Sequence, residues 1–169
     1  MRNEATSPEP IPAEPSSKAR GALWYWAPLA VWLAAIFYFS TDAMSAAHTS
    51  RFVEPLIRRL LPDASYETVY AVHVAVRKCG HVAEYALLAL LAFRAVRSGR
   101  PEPFRPRWAV AALTITALYA LVDEYHQTFV SSRTGNLEDA AIDVVGAGAA
   151  LVALAWARRR ANSAGRRDV

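Results

Sequence analysis

Residues 77–93 read RKCGHVAEYALLALLAF, a run that opens with two cations, carries His81 and Glu84, and is otherwise apolar. An ionisable residue inside hydrocarbon costs about 2.5–3.5 kcal/mol even on the lenient insertion scale, so such residues on an apolar helix are kept for a purpose. The pattern is that of a membrane helix whose outer end is given to polar work. Three other stretches share it. Ala22–Thr41 holds no charge and is long enough to cross about 30 Å of hydrocarbon as helix. Trp108–Val122 is uncharged and runs straight into Asp123, and Ala140–Ala157 carries only Asp143. The first stretch exceeds the about 7–15 apolar residues of a cleaved signal peptide and is rich in Trp and Tyr, so it reads as a retained span.

The whole chain agrees. Of 169 residues, 54% are hydrophobic, above the roughly 45–50% of soluble domains. The length suits a single domain. One cysteine, Cys79, excludes an internal disulfide. The net charge of +4 comes without a nucleic-acid motif or interleaved aromatics, so no nucleic-acid partner is expected. Residues 1–20 hold four prolines among Ser, Glu, Lys and Arg and read as a disordered cytoplasmic tail. Residues 21–158 form the membrane domain, and 159–169 a basic cytoplasmic tail.

Basic residues set the orientation. The 94–107 loop holds Arg94, Arg97, Arg100, Arg105 and Arg107 against Glu102, and the C-terminal tail holds Arg158, Arg159, Arg160, Arg166 and Arg167. Lys18 and Arg20 precede the first span, while the loop before the fourth has only Arg133, beside Glu138 and Asp139. The expected fold is therefore all-α: a polytopic protein of the cytoplasmic membrane, four transmembrane helices in a bundle, both termini cytoplasmic. Trp24, Trp26, Trp108 and Trp156 then fall at the cytoplasmic helix ends, at the headgroup level that indole favours. Phe52, Val53, Leu56, Ile57, Leu60 and Leu61 repeat at helical spacing around Arg58 and Arg59, which predicts an interfacial helix in the first external loop. After Pro62, Asp63 or Ser65 can start the next helix.

At about 1.5 Å per residue, Asp123 lies roughly 22 Å from Trp108, Asp143 roughly 20 Å from Trp156, His81 about 20 Å from Arg94 and Ser40 about 21 Å from Trp26. The four spans thus bring polar groups to one depth, with Arg77 or Lys78, His126 and Asp139 about one turn further out. His73, Arg77, His81 and Glu84 share a helix stripe, as do Asp123, His126 and Gln127, and as do Asp139 and Asp143 with Gly146. Gly146 and Gly148 predict close approach of a neighbouring helix.

Arg77-Lys78-Cys79-Gly80-His81-Val82-Ala83-Glu84-Tyr85 before a Leu-rich run resembles the VanZ-like family of small bacterial membrane proteins. So do Asp123-Glu124-Tyr125-His126-Gln127, the later Arg133-Thr134-Gly135, and Asp139 and Asp143 before Gly146. The resemblance covers about residues 22 to 156 and departs from the family's frequent Pro-Gly-Arg at Ser131-Ser132-Arg133. It implies the four-span fold and a link to resistance against the glycopeptide teicoplanin.

The candidate catalytic residues are His81, Glu84, Asp123, Glu124, His126, Asp139 and Asp143, with Arg77, Lys78, Gln127 and Arg133 as substrate-binding groups. The leading expectation is an extracytoplasmic-facing site that binds or modifies a cell-envelope component, with membrane lipids, a lipid-linked envelope molecule or a glycopeptide as partner. A second is a membrane-embedded enzyme acting on a lipid-linked substrate. A divalent metal on His81, Glu84, Asp123 and His126 would use the inward i,i+3 pairs of bundle sites. Phosphoryl handling would use Arg133 as clamp, in a spacing to Asp139 and Asp143 similar to the last motif of type 2 phosphatidic acid phosphatases. A third is a non-catalytic scaffold whose polar network fixes helix packing.

Overall fold

The computed structural model describes residues 17–42, 46–102, 104–131, 133 and 135–164. The expectations for residues 1–16 and for Arg166 and Arg167 lie outside these, as do Ser132 and Thr134. Five helices follow in order: α1 Ser17–Phe39, α2 Ala46–Leu60, α3 Tyr66–Arg97, α4 Pro106–Gln127 and α5 Leu137–Ala164. There is no strand among the described residues. Helix α1 begins before residue 21 and α5 ends beyond residue 158, so both expected tails contribute helical turns.

Local chemistry accounts for the boundaries. Ser65 sits in extended conformation and its side chain accepts the Thr68 amide at 3.2 Å, which opens α3 where a polar residue after Pro62 was expected to do so. Pro106 occupies the first turn of α4, where its missing N–H costs nothing. Asn136 Oδ1 accepts the Glu138 amide at 3.0 Å and starts α5, with Glu138 and Asp139 in the first turn. Helix α2 carries the expected apolar repeat: Ile57 is buried, while Phe52, Leu56 and Leu60 point outward.

Helix α3 is the hub. It packs against α1, α2, α4 and α5, and α4 also packs against α5. The seams are lined by Ala89, Ala92, Ala112, Ala120 and Ala147, all fully or almost fully buried, and these small residues let the backbones approach. Gly146 does the same: a Cβ there would meet Val82 Cγ1 at 2.7 Å. Gly148, expected to share this role, faces open space.

The surface is apolar and the interior holds charge. Asp123, Glu124, Gln127 and Asp143 are buried, while Val31, Val110, Leu118, Val122, Val145 and Val152 are exposed. Such an arrangement suits hydrocarbon outside. Three helices are long and apolar enough to cross a membrane by length and composition, within Gly21–Phe39, Tyr66–Arg97 and Leu137–Ser163. Helix α4 is not among them, because its apolar run is bounded by Arg107 and by Asp123 and Glu124.

The tryptophans divide. Trp24, Trp26 and Trp156 are exposed, as a headgroup belt requires. Trp108 is not part of such a belt. It is 3% exposed and packs edge-on against Phe93, which stacks on Phe104 at 5.3 Å. Position along the helix places it at the expected end, but α4's rotation turns the indole into the core.

Candidate functional site

The first half of α3, the end of α4, the start of α5 and the end of α1 meet at one end of the bundle. Between α3, α4 and α5 they leave a cavity of about 180 Å³. Arg77, Lys78 and His81 line it from α3, Glu124 and Gln127 from α4, Arg133 from the loop, and Asp139 and Asp143 from α5. The i,i+4 steps on α3 and α5 explain how each helix delivers more than one group to the same space.

Each charge has a specific environment. Lys78 Nζ donates to Asp139 Oδ1 at 2.8 Å in a half-exposed ion pair that closes the rim between α3 and α5. One turn deeper, His81 Nδ1 lies 3.7 Å from Asp143 Oδ2, with Asp143 only 2% exposed. Behind the cavity wall, Asp123 Oδ2 accepts from Tyr85 Oη and from Gln127 Nε2, both at 3.0 Å, while Asp123 Oδ1 is buried without a partner. Glu124 Oε2 accepts the Asn136 amide at 2.7 Å, which ties the 128–136 loop to α4. Gly135 makes that clasp possible, since a Cβ there would run into the Glu124 carbonyl oxygen. Arg133 Nη2 donates to the Phe39 carbonyl at 2.8 Å and joins the loop to α1. Burial first, and then the nearby Arg77 guanidinium, push Arg133 below its ordinary range.

Two expected members stand apart. Glu84 lines a second cavity, about 340 Å³, between α2, α3 and the end of α1; its carbonyl accepts Trp32 Nε1 at 3.0 Å. His126 turns onto α1, its ring 4.6 Å from that of Phe37. The ligand set His81, Glu84, Asp123 and His126 is therefore not assembled, and among the described residues no group of three or more His, Cys, Asp or Glu is placed to hold a metal ion. Helical spacing puts His126 beside Asp123 on one face, but that face is wide enough to span two neighbours.

The residues not foreseen are Asn136 and Tyr85 as a hydrogen-bond donor to Asp123. Both had signals. Asn136 precedes an acidic first turn, which is a helix-start pattern. Tyr85 lies four residues after His81 on the same stripe. The chemistry available is a mixed-charge cavity with guanidinium, ammonium, imidazole, amide and carboxylate groups, suited to hydrogen-bonding a polar head.

No curated protein and no solved structure matches the chain. A family model does, described as VanZ/LLP1, over residues 25–158, a stretch that takes in all the groups above. The matched stretch contains the hub helix with its Arg-Lys-Cys-Gly-His run, the acidic end of α4 and the paired aspartates of α5, and the chain belongs to the VanZ/LLP1 family.

Proposed function

We propose that this protein is a multi-pass protein of the cytoplasmic membrane whose α3–α4–α5 cavity opens on the outer face and binds the polar head of a cell-envelope component, with an effect on glycopeptide (teicoplanin) resistance. The observation that carries it is the cavity: cations and carboxylates from three helices and one loop converge there, with Asp143 buried at its base. Such groups are retained in a membrane interior when something uses them.

Two observations support this topology. Val110, Leu118, Leu121 and Val122 give α4 an apolar outer face, which supports it as a fourth span beside α1, α3 and α5. Arg94, Arg97, Arg100, Arg105, Arg107, Arg158, Arg159 and Arg160 crowd the end opposite the cavity, which supports both termini inside. Helix α2 then lies at the outer surface with Phe52, Leu56 and Leu60 toward lipid.

Cysteines placed singly at Arg51, Arg100 and Leu137 in a Cys79→Ala background test the topology with a membrane-impermeant reagent. Labelling of positions 51 and 137 in intact cells, and of 100 only after lysis, is expected; labelling of 100 in intact cells overturns it. Asp143→Asn tests the site. Loss of teicoplanin protection at unchanged protein level is expected. Unchanged protection at unchanged level overturns the binding role. A non-catalytic scaffold is the second reading, favoured by the partners already found for Lys78 and Asp123. It expects protein level and protection to fall together.

A further inference from the structure

Two cavities meet at Arg77, His81 and Arg133. These side chains line both the α3–α4–α5 cavity and the second one on the α1–α2 side of α3, so a single layer of side chains parts them. Arg77 and His81 lie one helical turn apart, along the boundary. The first cavity, about 180 Å³, is smaller than the roughly 300–1,000 Å³ of small-molecule sites. The second, about 340 Å³, falls within that range. A ligand of ordinary size that enters the first therefore extends beyond it, and the second is the adjoining space.

The two differ in chemistry. In the first, the cations Arg77, Lys78 and Arg133 are matched by the carboxylates Glu124, Asp139 and Asp143. Most are already engaged: Lys78 with Asp139, His81 against Asp143, Glu124 with the Asn136 amide, and Arg133 with the Phe39 carbonyl and the nearby carboxylates of Asp123, Glu84 and Glu124. Such a lining has no excess charge for an ion to neutralise. It sets donors beside acceptors, and a hydroxyl group, which does both, matches it. In the second, Phe39, Val53 and Val76 give an apolar wall, and the polar groups are largely those of the shared boundary, with His73 and Glu84. A Cβ on Gly80, which also lines it, would meet nothing within 4 Å. Among the described residues α1 and α2 each pack on α3 and hardly on each other, which leaves a lateral way into this cavity from the bilayer.

We propose that the two cavities are halves of one site for a neutral glycolipid: a sugar head hydrogen-bonded in the α3–α4–α5 cavity, and the start of its hydrocarbon chain against Phe39, Val53 and Val76. The proposal rests on the reading of the first cavity as a head-binding site and names the ligand class. The chain crosses from one half to the other at the Arg77–His81–Arg133 boundary and leaves toward lipid between α1 and α2.

Full-length protein in a polyoxyethylene detergent, titrated with octyl β-glucoside, methyl β-glucoside, octyl phosphate and octylammonium against protein-free micelles as the blank, tests both halves. Octyl β-glucoside is expected to bind about tenfold more tightly than each of the other three. Gly80→Leu adds apolar bulk to the second cavity where a Cβ meets nothing, and is expected to weaken octyl β-glucoside about tenfold while leaving methyl β-glucoside unchanged. Ile142→Trp narrows the first cavity, which Ile142 lines, and should weaken both glucosides. Equal affinity for either charged probe removes the neutral head, and equal affinity for methyl β-glucoside removes the chain; either overturns the proposal. So does unchanged octyl β-glucoside affinity in Gly80→Leu or in Ile142→Trp, with Val53→Trp and Val74→Trp taking their places should one not fold. Teicoplanin protection in Asp143→Asn uses none of these probes, so failure here is separable from failure of the α3–α4–α5 reading.

Discussion

At one end of the bundle, Arg94 lies 5.8 Å from the ring of Trp24 and 5.2 Å from that of Tyr25, and donates to the Tyr25 carbonyl. At the other end, Asp143 and Asp123 are sunk among helices with His81, Tyr85 and Gln127 around them. The same helices thus treat charge in two ways. The arginine end keeps its cations at the surface, on π faces and main-chain oxygens, above a core of Leu88, Ala89, Ala92, Phe93 and Trp108. The acidic end takes charge inside and leaves cavities beside it. A charge resting on an aromatic ring is added stability at little desolvation cost. A charge placed inside needs every partner in position, and removing one partner strands the other. Substitutions at the acidic end should therefore be costly and should alter function. Those at the arginine end should be mild and silent.

Asp123→Leu is the strongest way to break this contrast. It strands Tyr85 Oη and Gln127 Nε2, each buried and each bonded to Asp123 Oδ2. The expected loss is roughly 2–4 kcal/mol, read as a large fall in melting temperature in detergent. Asp123→Asn keeps an acceptor and should lose under half of that. If both variants melt like the parent, the acidic end is not the tightly coupled one.

Gly146→Leu strikes between the two ends, at the α3–α5 seam. The new side chain meets Val82, whose Cγ1 lies within 2.7 Å of where its Cβ must go. Overpacking of this kind costs roughly 1–3 kcal/mol. Gly148→Leu faces open space and should be neutral. A melting curve for the pair separates a helix seam from a helix surface by two residues.

The pair also shows what a sequence reading reaches. The period of a helix tells which residues share a face, so the pair Arg77, His81 and the step Asp139, Asp143 were legible. So were the polar start of α3 at Ser65 and the amphipathic α2. What the period does not tell is how each helix is rotated against its neighbours. That angle decides that His126 meets Phe37 while Gln127, one residue on, meets Asp123. It also decides that Glu84 faces the second cavity, that Trp108 turns inward, and that Gly146 but not Gly148 is at a contact. The Glu124–Asn136 clasp was hidden for another reason: its donor is a main-chain amide, which every residue but proline has.

Arg94→Ala probes the arginine end. It removes two ring contacts and one hydrogen bond to the Tyr25 carbonyl, where α1 rests on α3. A loss of roughly 1–2 kcal/mol is expected, with the α3–α4–α5 cavity intact: teicoplanin protection at unchanged protein level should stay at the parent's value. A change in that protection would mean that the two ends are coupled through α3, and the comparison would have to be redrawn as one network.

The smallest effect is expected at Arg160, whose guanidinium lies 3.7 Å from the centroid of the Trp156 ring. The geometry is the closest of the cation–π contacts described, yet Trp156 is 55% exposed and the pair sits on one helix, one turn apart. An exposed contact of this kind contributes roughly 0.5–1 kcal/mol, and the flexible arginine loses side-chain entropy in forming it. Arg160→Ala should lower the melting temperature less than Arg94→Ala and leave teicoplanin protection unchanged. Its effect should shrink further in lipid, where the freed indole finds headgroups to meet. A fall as large as that of Arg94→Ala would show that distance to the ring outweighs burial at this end, and that even here the protein relies on its charges being held.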